Sequence, residues 1–406
     1  MQDLRVMFDT QSGPVTGVEK ISFSIKPGET LCIVGESGSG KSVSSLSLMR
    51  LVEFGGGMID DGTLFFRSDF ANEKIDLAKA DSNLMRKIRG NEIAMIFQEP
   101  MTTLNPVFTI GRQLREGIML HKGLSEAQAN TRVLELLKQV RIPEPERRIN
   151  QYPHELSGGM RQRIVIAMAM ACEPKLLIAD EPTTALDVTI QSEILALINR
   201  LKSEQQMAVL FITHDMAVVA QIADRVLVMY HGNMVEEGPV EEIFATPKED
   251  YTKALLAAVP RLGDMRNKPA PEPMHILGAA SHKTEPVIPR QTGDHPLLEV
   301  RNLVTRFPVR KGLFRKTVAN VHAVEDVSFT LNAGETLSLV GESGCGKSSC
   351  GRSVLRLVEP ISGDIFIDGV DIRALGKEKL RKARQDMQMI FQDPFASLNP
   401  QIRLID

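Results

Sequence analysis

Four short apolar runs punctuate the first part of the chain: Leu31-Cys32-Ile33-Val34, Ile93-Ala94-Met95-Ile96-Phe97, Lys175-Leu176-Leu177-Ile178-Ala179 and Ala208 to Thr213. Uninterrupted runs of this length read as strands buried on both faces of a parallel sheet. Helical spacing fills the intervals, from Val43 to Leu51, from Ile110 to Ala171 and from about Ile190 to Leu201. The alternation predicts an α/β architecture. Ahead of the first run, Leu4, Val6 and Phe8 alternate with polar residues, and Val18 to Ile25 alternates again before Pro27-Gly28-Glu29. That pattern predicts two antiparallel strands flanking the main sheet. Residues Gly55 to Asn83, with Gly55-Gly56-Gly57 and a short strand Thr63 to Phe66, read as a surface excursion.

Local signals sharpen the helical stretch. Ser125 to Gln128 is a capping-box sequence, Leu124 stands as its staple, and Val133, Leu134, Leu136, Leu137 and Val140 form the apolar face behind it. Pro143 and Pro145 end that helix. Ser157 is a natural N-cap, and Gly158-Gly159 leaves the first-turn N–H groups open to an anion. Met168 and Met170 belong to packing, and His154 reads as structural. Arg225 to Tyr230 and Asn233 to Glu237 flank His231-Gly232 as a hairpin, and Val240 to Pro260 supplies two short helices. Six prolines between Gly263 and Pro296, with little apolar periodicity, mark residues 263–296 as a linker after a first domain of residues 1–262.

The chemistry begins where the first buried strand ends. Gly35-Glu36-Ser37-Gly38-Ser39-Gly40-Lys41-Ser42, followed by Val43, fits the phosphate-binding pattern G-x-x-x-x-G-K-[ST], and Gly341-Glu342-Ser343-Gly344-Cys345-Gly346-Lys347-Ser348 repeats it. The glycines let backbone N–H groups turn around an anion, the helix N-terminus adds partial positive charge, and Lys41 supplies a mobile cation. Ser42, and Ser348 in the repeat, are placed to ligate magnesium. Other candidates stand at the ends of the other apolar runs. Gln98 is positioned to touch magnesium or an attacking water, Asp180 to hold magnesium, Glu181 to polarise a water toward a γ-phosphate, and His214 to contact that phosphate. Phe8 is either an adenine-stacking ring or an apolar strand residue.

Residues 297–406 replay the first domain as far as Gln392, the counterpart of Gln98. The phosphate loops at Gly35 and Gly341 stand 306 residues apart and the glutamines 294, so the first copy carries about twelve extra residues in its Gly55 to Asn83 excursion. Arg306 to Lys316 adds a basic insert, either a solvated loop or a contact for anionic lipid headgroups. A formal net charge of −3 predicts no polyanionic partner such as nucleic acid. Cys32, Cys172, Cys345 and Cys350 show neither zinc-ligand nor disulfide spacing and read as packing thiols. No apolar run approaches the ~18 residues of a membrane span and no signal-peptide pattern follows Met1, so transmembrane work is expected of partners.

Together these residues resemble the ATP-binding-cassette (ABC) ATPases. The resemblance casts Gly35 to Ser42 as Walker A, Gln98 as Q-loop, Leu156 to Gln162 as signature, Leu176 to Asp180 as Walker B, Asp187 as D-loop and His214 as switch. Gln98 to Pro106, Ala179 to Gln191 and Tyr251 to Pro260 resemble the oligopeptide and dipeptide importer branch, and the two-cassette layout resembles its glutathione-importing members. The implied fold is an α/β P-loop NTPase domain with a mixed core sheet, a flanking antiparallel β subdomain and a helical signature subdomain, followed by a partial second copy. The implied activity is MgATP hydrolysis that energises import of glutathione or small peptides. The implied partners are two membrane permeases and a periplasmic solute-binding protein, at the cytoplasmic face of a bacterial inner membrane. Ser157, Gly158, Gly159 and Gln162 would serve in trans, opposite the Walker A of a second ABC domain in cis or from another chain. Residues beyond Gln392 hold no counterpart of the signature, Asp180, Glu181 or His214. The expectation is therefore hydrolysis through two first domains from separate chains. A twin-cassette ATPase of translation or repair is the rival reading, against which the Pro-rich linker weighs, and a nucleotide-binding fragment without coupled transport is a third.

Overall fold

A computed structural model of the 406-residue chain describes residues 1–10, 12–70, 74–98, 103–184, 186–260, 263, 266, 296–311, 316–391, 399 and 402. The chain divides into two compact units, Met1–Glu285 and Pro286–Asp406. The linker expected over residues 263–296 lies almost wholly outside the described residues.

The first unit opens with β1 (Gln2–Thr10) and β2 (Gly13–Ile21), an antiparallel pair, and continues through β3 (Thr30–Val34) into α1 (Lys41–Leu48). Helix α1 begins at Lys41 itself rather than at Val43, because the loop glycines deliver the chain directly into helical geometry. It packs through small residues: Ser44, Ser45 and Ser47 are buried, and each hydroxyl returns to a carbonyl of the preceding turn at 2.8–2.9 Å. The expected surface excursion is corrected. Strand β4 (Gly57–Thr63) pairs antiparallel with β1 as the third strand of the flanking sheet, and a small hairpin, β5 (Phe65–Arg67) and β6 (Lys74–Asp76), leads to α2 (Ser82–Ile88). Leu64 and Leu77 are fully buried there. The sequence Gly-Met-Ile-Asp-Asp-Gly-Thr carries little strand signal, and pairing with β1 overrides it.

Next come β7 (Ile93–Ile96) and four helices: α3 (Ile110–Lys122), α4 (Glu126–Gln139), α5 (Pro145–Arg148) and α6 (Gly158–Met170). The capping box of α4 forms as expected, with Ser125 and Gln128 exchanging side-chain and backbone bonds. Then follow β8 (Leu176–Asp180), α7 (Val188–Gln205), β9 (Ala208–Ile212), α8 (Met216–Ile222), the hairpin β10 (Arg225–Tyr230) and β11 (Asn233–Pro239), α9 (Val240–Ala245) and α10 (Asp250–Ala257). The main sheet has the order β11-β10-β3-β9-β8-β7, parallel except for β11. Its strands bury both faces with period two. Cys32, Val34, Leu177, Ala179, Val209 and Phe211 join the helices of residues 110–201 in one core, while Leu31, Ile33, Leu176, Ile178, Leu210 and Ile212 join the antiparallel sheet in another. This two-faced burial is why those runs read as continuous apolar stretches. Arg163 ties the helical layer to the rest: it donates to the Val140 carbonyl at 2.9 Å and pairs with Glu193 of α7 at 2.5 Å.

The second unit contains a long hairpin, β12 (Leu298–Lys311) and β13 (Lys316–Leu331), then α11 (Lys347–Val354), β14 (Ser362–Ile367), β15 (Val370–Asp371) and α12 (Lys377–Ala383). The basic insert is largely strand, because β12 runs through Arg306 to Lys311. Residues 336–340, the counterpart of β3, form no strand among the described residues, and Leu337, Leu339 and Val340 are exposed. The physical reason is nonlocal: β3 is held between β9 and β10, and the described part of the second unit has no equivalents.

Candidate active site

The phosphate loop emerges from the C-terminal end of β3. Gly35 has φ +147°, and a Cβ there would lie 2.1 Å from the Met229 carbonyl oxygen, so only glycine fits. Gly40 (φ +94°) caps α1, while a Cβ at Gly38 would meet nothing within 4 Å, leaving the middle of the loop open. Glu36 and Ser37 are exposed, Ser39 is buried, and Val43 packs beside the antiparallel sheet. Lys41 is buried against its own loop, donating to the Gly35 carbonyl at 2.8 Å and the Glu36 carbonyl at 2.6 Å. Burial lowers its pKa, opposed by the carboxylates of Glu181, Asp180 and Glu36.

The end of β8 meets this loop. The Ser42 hydroxyl donates to Asp180 Oδ1 at 3.1 Å. Burial raises the Asp180 pKa, with the Glu181 charge adding and the Ser42 hydrogen bond and Lys41 opposing. A buried carboxylate beside a hydroxyl is an oxygen pair that suits a hard divalent cation. The residues present therefore fit the magnesium expected from sequence.

Glu181 follows immediately, with φ +46°, an uncommon backbone conformation for a residue with a side chain. Its backbone N–H donates to the Ile212 carbonyl at 2.9 Å, which fixes the turn against β9. The carboxylate accepts from Gln98 Nε2 at 3.1 Å and from the Thr184 hydroxyl at 3.0 Å, and faces His214 Nδ1 at 3.1 Å. Burial pushes its pKa up, but the bonds from His214 and Thr184 and the charges of His214 and Lys41 prevail and hold it below the usual glutamate value. An ionised carboxylate at an open rim, beside buried Lys41, is suited to accept a proton from water. Gln98, Glu181 and His214, expected from sequence to share one strand-end rim, form one hydrogen-bonded cluster. Thr184 was missed, though it stands one turn beyond Glu181 with its N–H on the Glu181 carbonyl at 3.2 Å.

The signature residues lie at the start of α6. Ser157 caps the helix, its hydroxyl accepting from Met160 N–H at 3.4 Å, and Ser157 and Gly158 are exposed. Gln162 differs from expectation. It is fully buried, and its amide donates to the Pro182 carbonyl, so it braces the signature helix against the turn after Glu181 instead of facing outward. Asp187 caps α7, accepting from Ile190 N–H at 2.9 Å. Phe8 is pressed between Gly17 and Gly57, where added Cβ atoms would lie 2.7 and 2.8 Å from its ring.

The second loop repeats the backbone geometry: Gly341, Gly344 and Gly346 have φ of +152°, +81° and +101°, and Lys347 donates to the Gly341 and Glu342 carbonyls at 2.6 Å. Ser343 and Ser348 are exposed. Cys345 is exposed as well, unlike the buried Cys32, Cys172 and Cys350, and so departs from the packing reading. Gln392 lies outside the described residues.

This architecture of phosphate loop, mixed sheet and helical layer is that of an ATP-binding cassette. The ABC transporter family model matches residues 18–184 and 324–406, and the chain belongs to that family. It is 53% identical over 405 residues to the glutathione import ATP-binding protein GsiA of Pectobacterium atrosepticum, a match covering 99% of this chain and 65% of that protein. It is also 53% identical over 403 residues to the protein of the same name from Escherichia coli K12, covering 98% of this chain and 64% of the relative. The chain thus spans just under two thirds of the length of these relatives. Among solved structures, the cassette MJ0796 in a dimeric post-hydrolysis state bound to ADP and Pi superimposes with a TM-score of 0.51 at 28% identity, covering 59% of this chain and 97% of that one. A second dimeric structure of the same bacterial ABC transporter cassette gives 0.52 at 27% identity, with 59% and 97% covered. Among the described residues no helix is long and apolar enough to cross a membrane.

Proposed function

We propose that the chain is an ATP-hydrolysing subunit of an importer for glutathione or small peptides, with hydrolysis at the loop of Gly35 to Ser42. The observation that carries the reading is the meeting of Ser42 with Asp180, and of Glu181 with Gln98, Thr184 and His214, at one rim of the main sheet. In this reading the loop N–H groups and Lys41 hold the nucleotide phosphates, and Ser42, Asp180 and Gln98 hold magnesium. Magnesium, when bound, neutralises charge on the phosphates. Glu181 orients and deprotonates the attacking water, held in place by Gln98, Thr184 and His214. Ser157, Gly158 and the open N–H groups of α6 face the γ-phosphate on a second ABC domain, which couples closure of the pair to chemistry. Asp187 caps α7, the helix whose Ile190 lies against Gly159 of the signature, and would serve the same interface. Gln162 acts by positioning α6.

The glutathione import for which these relatives are named supports the choice of solute, and the absence of a membrane-crossing helix among the described residues fits a peripheral subunit. The proposed setting is the cytoplasmic face of an inner membrane, beneath two permeases fed by a periplasmic binding protein. The test is uptake of labelled glutathione by cells supplying the permeases and this chain, with Lys41→Ala as control. Uptake that depends on Lys41 supports the reading. ATP turnover without any effect on uptake would remove the transport part of it.

A further inference from the structure

The phosphate loop is braced from outside as well as from within. The turn between β10 and β11 donates Gly232 N–H to the Ser39 carbonyl at 3.1 Å, and the Met229 carbonyl backs Gly35. Beyond β11, α10 brings Tyr251 onto the same loop. Its hydroxyl oxygen accepts from Glu36 N–H at 3.2 Å. Its ring packs on Tyr230 with centroids 4.3 Å apart, and Tyr230 packs in turn on His231 at 4.1 Å.

That N–H shares a peptide unit with the Gly35 carbonyl, which accepts from Lys41 Nζ at 2.8 Å. A planar trans peptide points its N–H and C=O in opposite directions, so fixing one fixes the other. Tyr251 therefore holds one end of the plane whose other end holds Lys41. A tyrosine suits the task because its reach is set by a rigid ring with few torsions, and here the ring is clamped by a second aromatic.

We propose that Tyr251, more than 200 residues away in sequence, is a positioning residue for Lys41. Its hydroxyl orients the Gly35–Glu36 peptide and so sets the place from which the ammonium meets the outer phosphates of the nucleotide. The proposal rests on the reading of Gly35 to Ser42 as an ATP site.

The test uses the full chain carrying Lys347→Ala, so that the first loop alone reports, and measures MgATP affinity by titration and AMP affinity by competition. Tyr251→Phe removes the hydroxyl and keeps the ring. The expected result is an MgATP Kd raised about 5-fold, the net worth of one hydrogen bond, with AMP affinity and melting temperature unchanged. Leu255→Ala, which loosens the packing of the same helix on the core, is expected to lower the melting temperature and leave Kd alone. An unchanged MgATP Kd in Tyr251→Phe overturns the proposal. So does a loss shared equally by AMP, or one matched by Leu255→Ala, since either makes the effect general loosening. A Lys347→Ala parent that binds no MgATP overturns the ATP-site reading and this inference with it, whereas a binding parent with an indifferent Tyr251→Phe overturns the inference alone.

Discussion

Gln98 Nε2 lies 3.1 Å from Glu181 Oε2, which joins the end of the edge strand β7 to the end of its neighbour β8. The helical layer of residues 110–170 follows Gln98 in the chain, so a displacement of that layer reaches the carboxylate through one side chain. Gln98→Ala is expected to lower ATP turnover about 10-fold while leaving the Kd for ATP in the absence of magnesium within twofold, because the side chain bonds Glu181 and its place on the nucleotide is through magnesium. Steady-state turnover and nucleotide titration together check it.

Thr184 donates the other hydrogen bond to the same oxygen. Thr184→Ala should reduce turnover roughly 5-fold, in line with the loss of one partly exposed hydrogen bond to a charged acceptor. Thr184→Ser, which keeps the hydroxyl, should restore it. Full activity in the alanine variant would make the contact incidental.

The pH dependence follows from the sign of the Glu181 shift. A base with a depressed pKa stays ionised, and its rate full, until the pH falls through that lowered value, so acidification should reduce turnover only below the ordinary glutamate range. His214→Ala removes both a hydrogen bond and a charge that lower this pKa. The acid limb of the pH–rate profile should therefore move to higher pH, each profile being scaled to its own plateau. An unmoved limb would separate His214 from the ionisation of Glu181.

Equivalent positions in the two copies should differ in their importance to stability. Ile33 is 0% exposed at the centre of the main sheet, while Leu339, at the matching place before the second loop, is 46% exposed. Ile33→Ala should cost about 2–5 kcal/mol in denaturant unfolding, and Leu339→Ala less than about 0.5 kcal/mol. Equal costs would mean that residues 336–340 are packed.

These two positions also mark how far the sequence could be read. The phosphate loops, the buried runs and the capping box are local patterns, and they gave the order of elements, Lys41 and Ser42 in the loop, and Asp180, Glu181 and His214 as strand-end residues, while the mixed sheet came from the family resemblance. What stayed hidden depends on partners distant in the chain. Leu337-Ser338-Leu339-Val340 looks like Leu31-Cys32-Ile33-Val34, yet a strand needs neighbours, and those of β3 come from residues 208–230. Strand β4 was hidden for the converse reason, since its Gly and Asp residues are made strand by β1. Gln162 turned inward because Pro182 offers a carbonyl there, and Tyr251 reached Glu36 because the β10–β11 hairpin carries α10 back across the sheet edge. No spacing encodes either contact.

The central claim is that Glu181 is the base for hydrolysis at the loop of Lys41. The most direct test is Glu181→Gln, with ATP binding and single-turnover hydrolysis measured on the same preparation. The account predicts an unchanged or tighter Kd for ATP and hydrolysis slowed about 100-fold or more, the amide keeping the contacts with Gln98 and Thr184 but unable to take a proton. Hydrolysis at the wild-type rate in Glu181→Gln would contradict it.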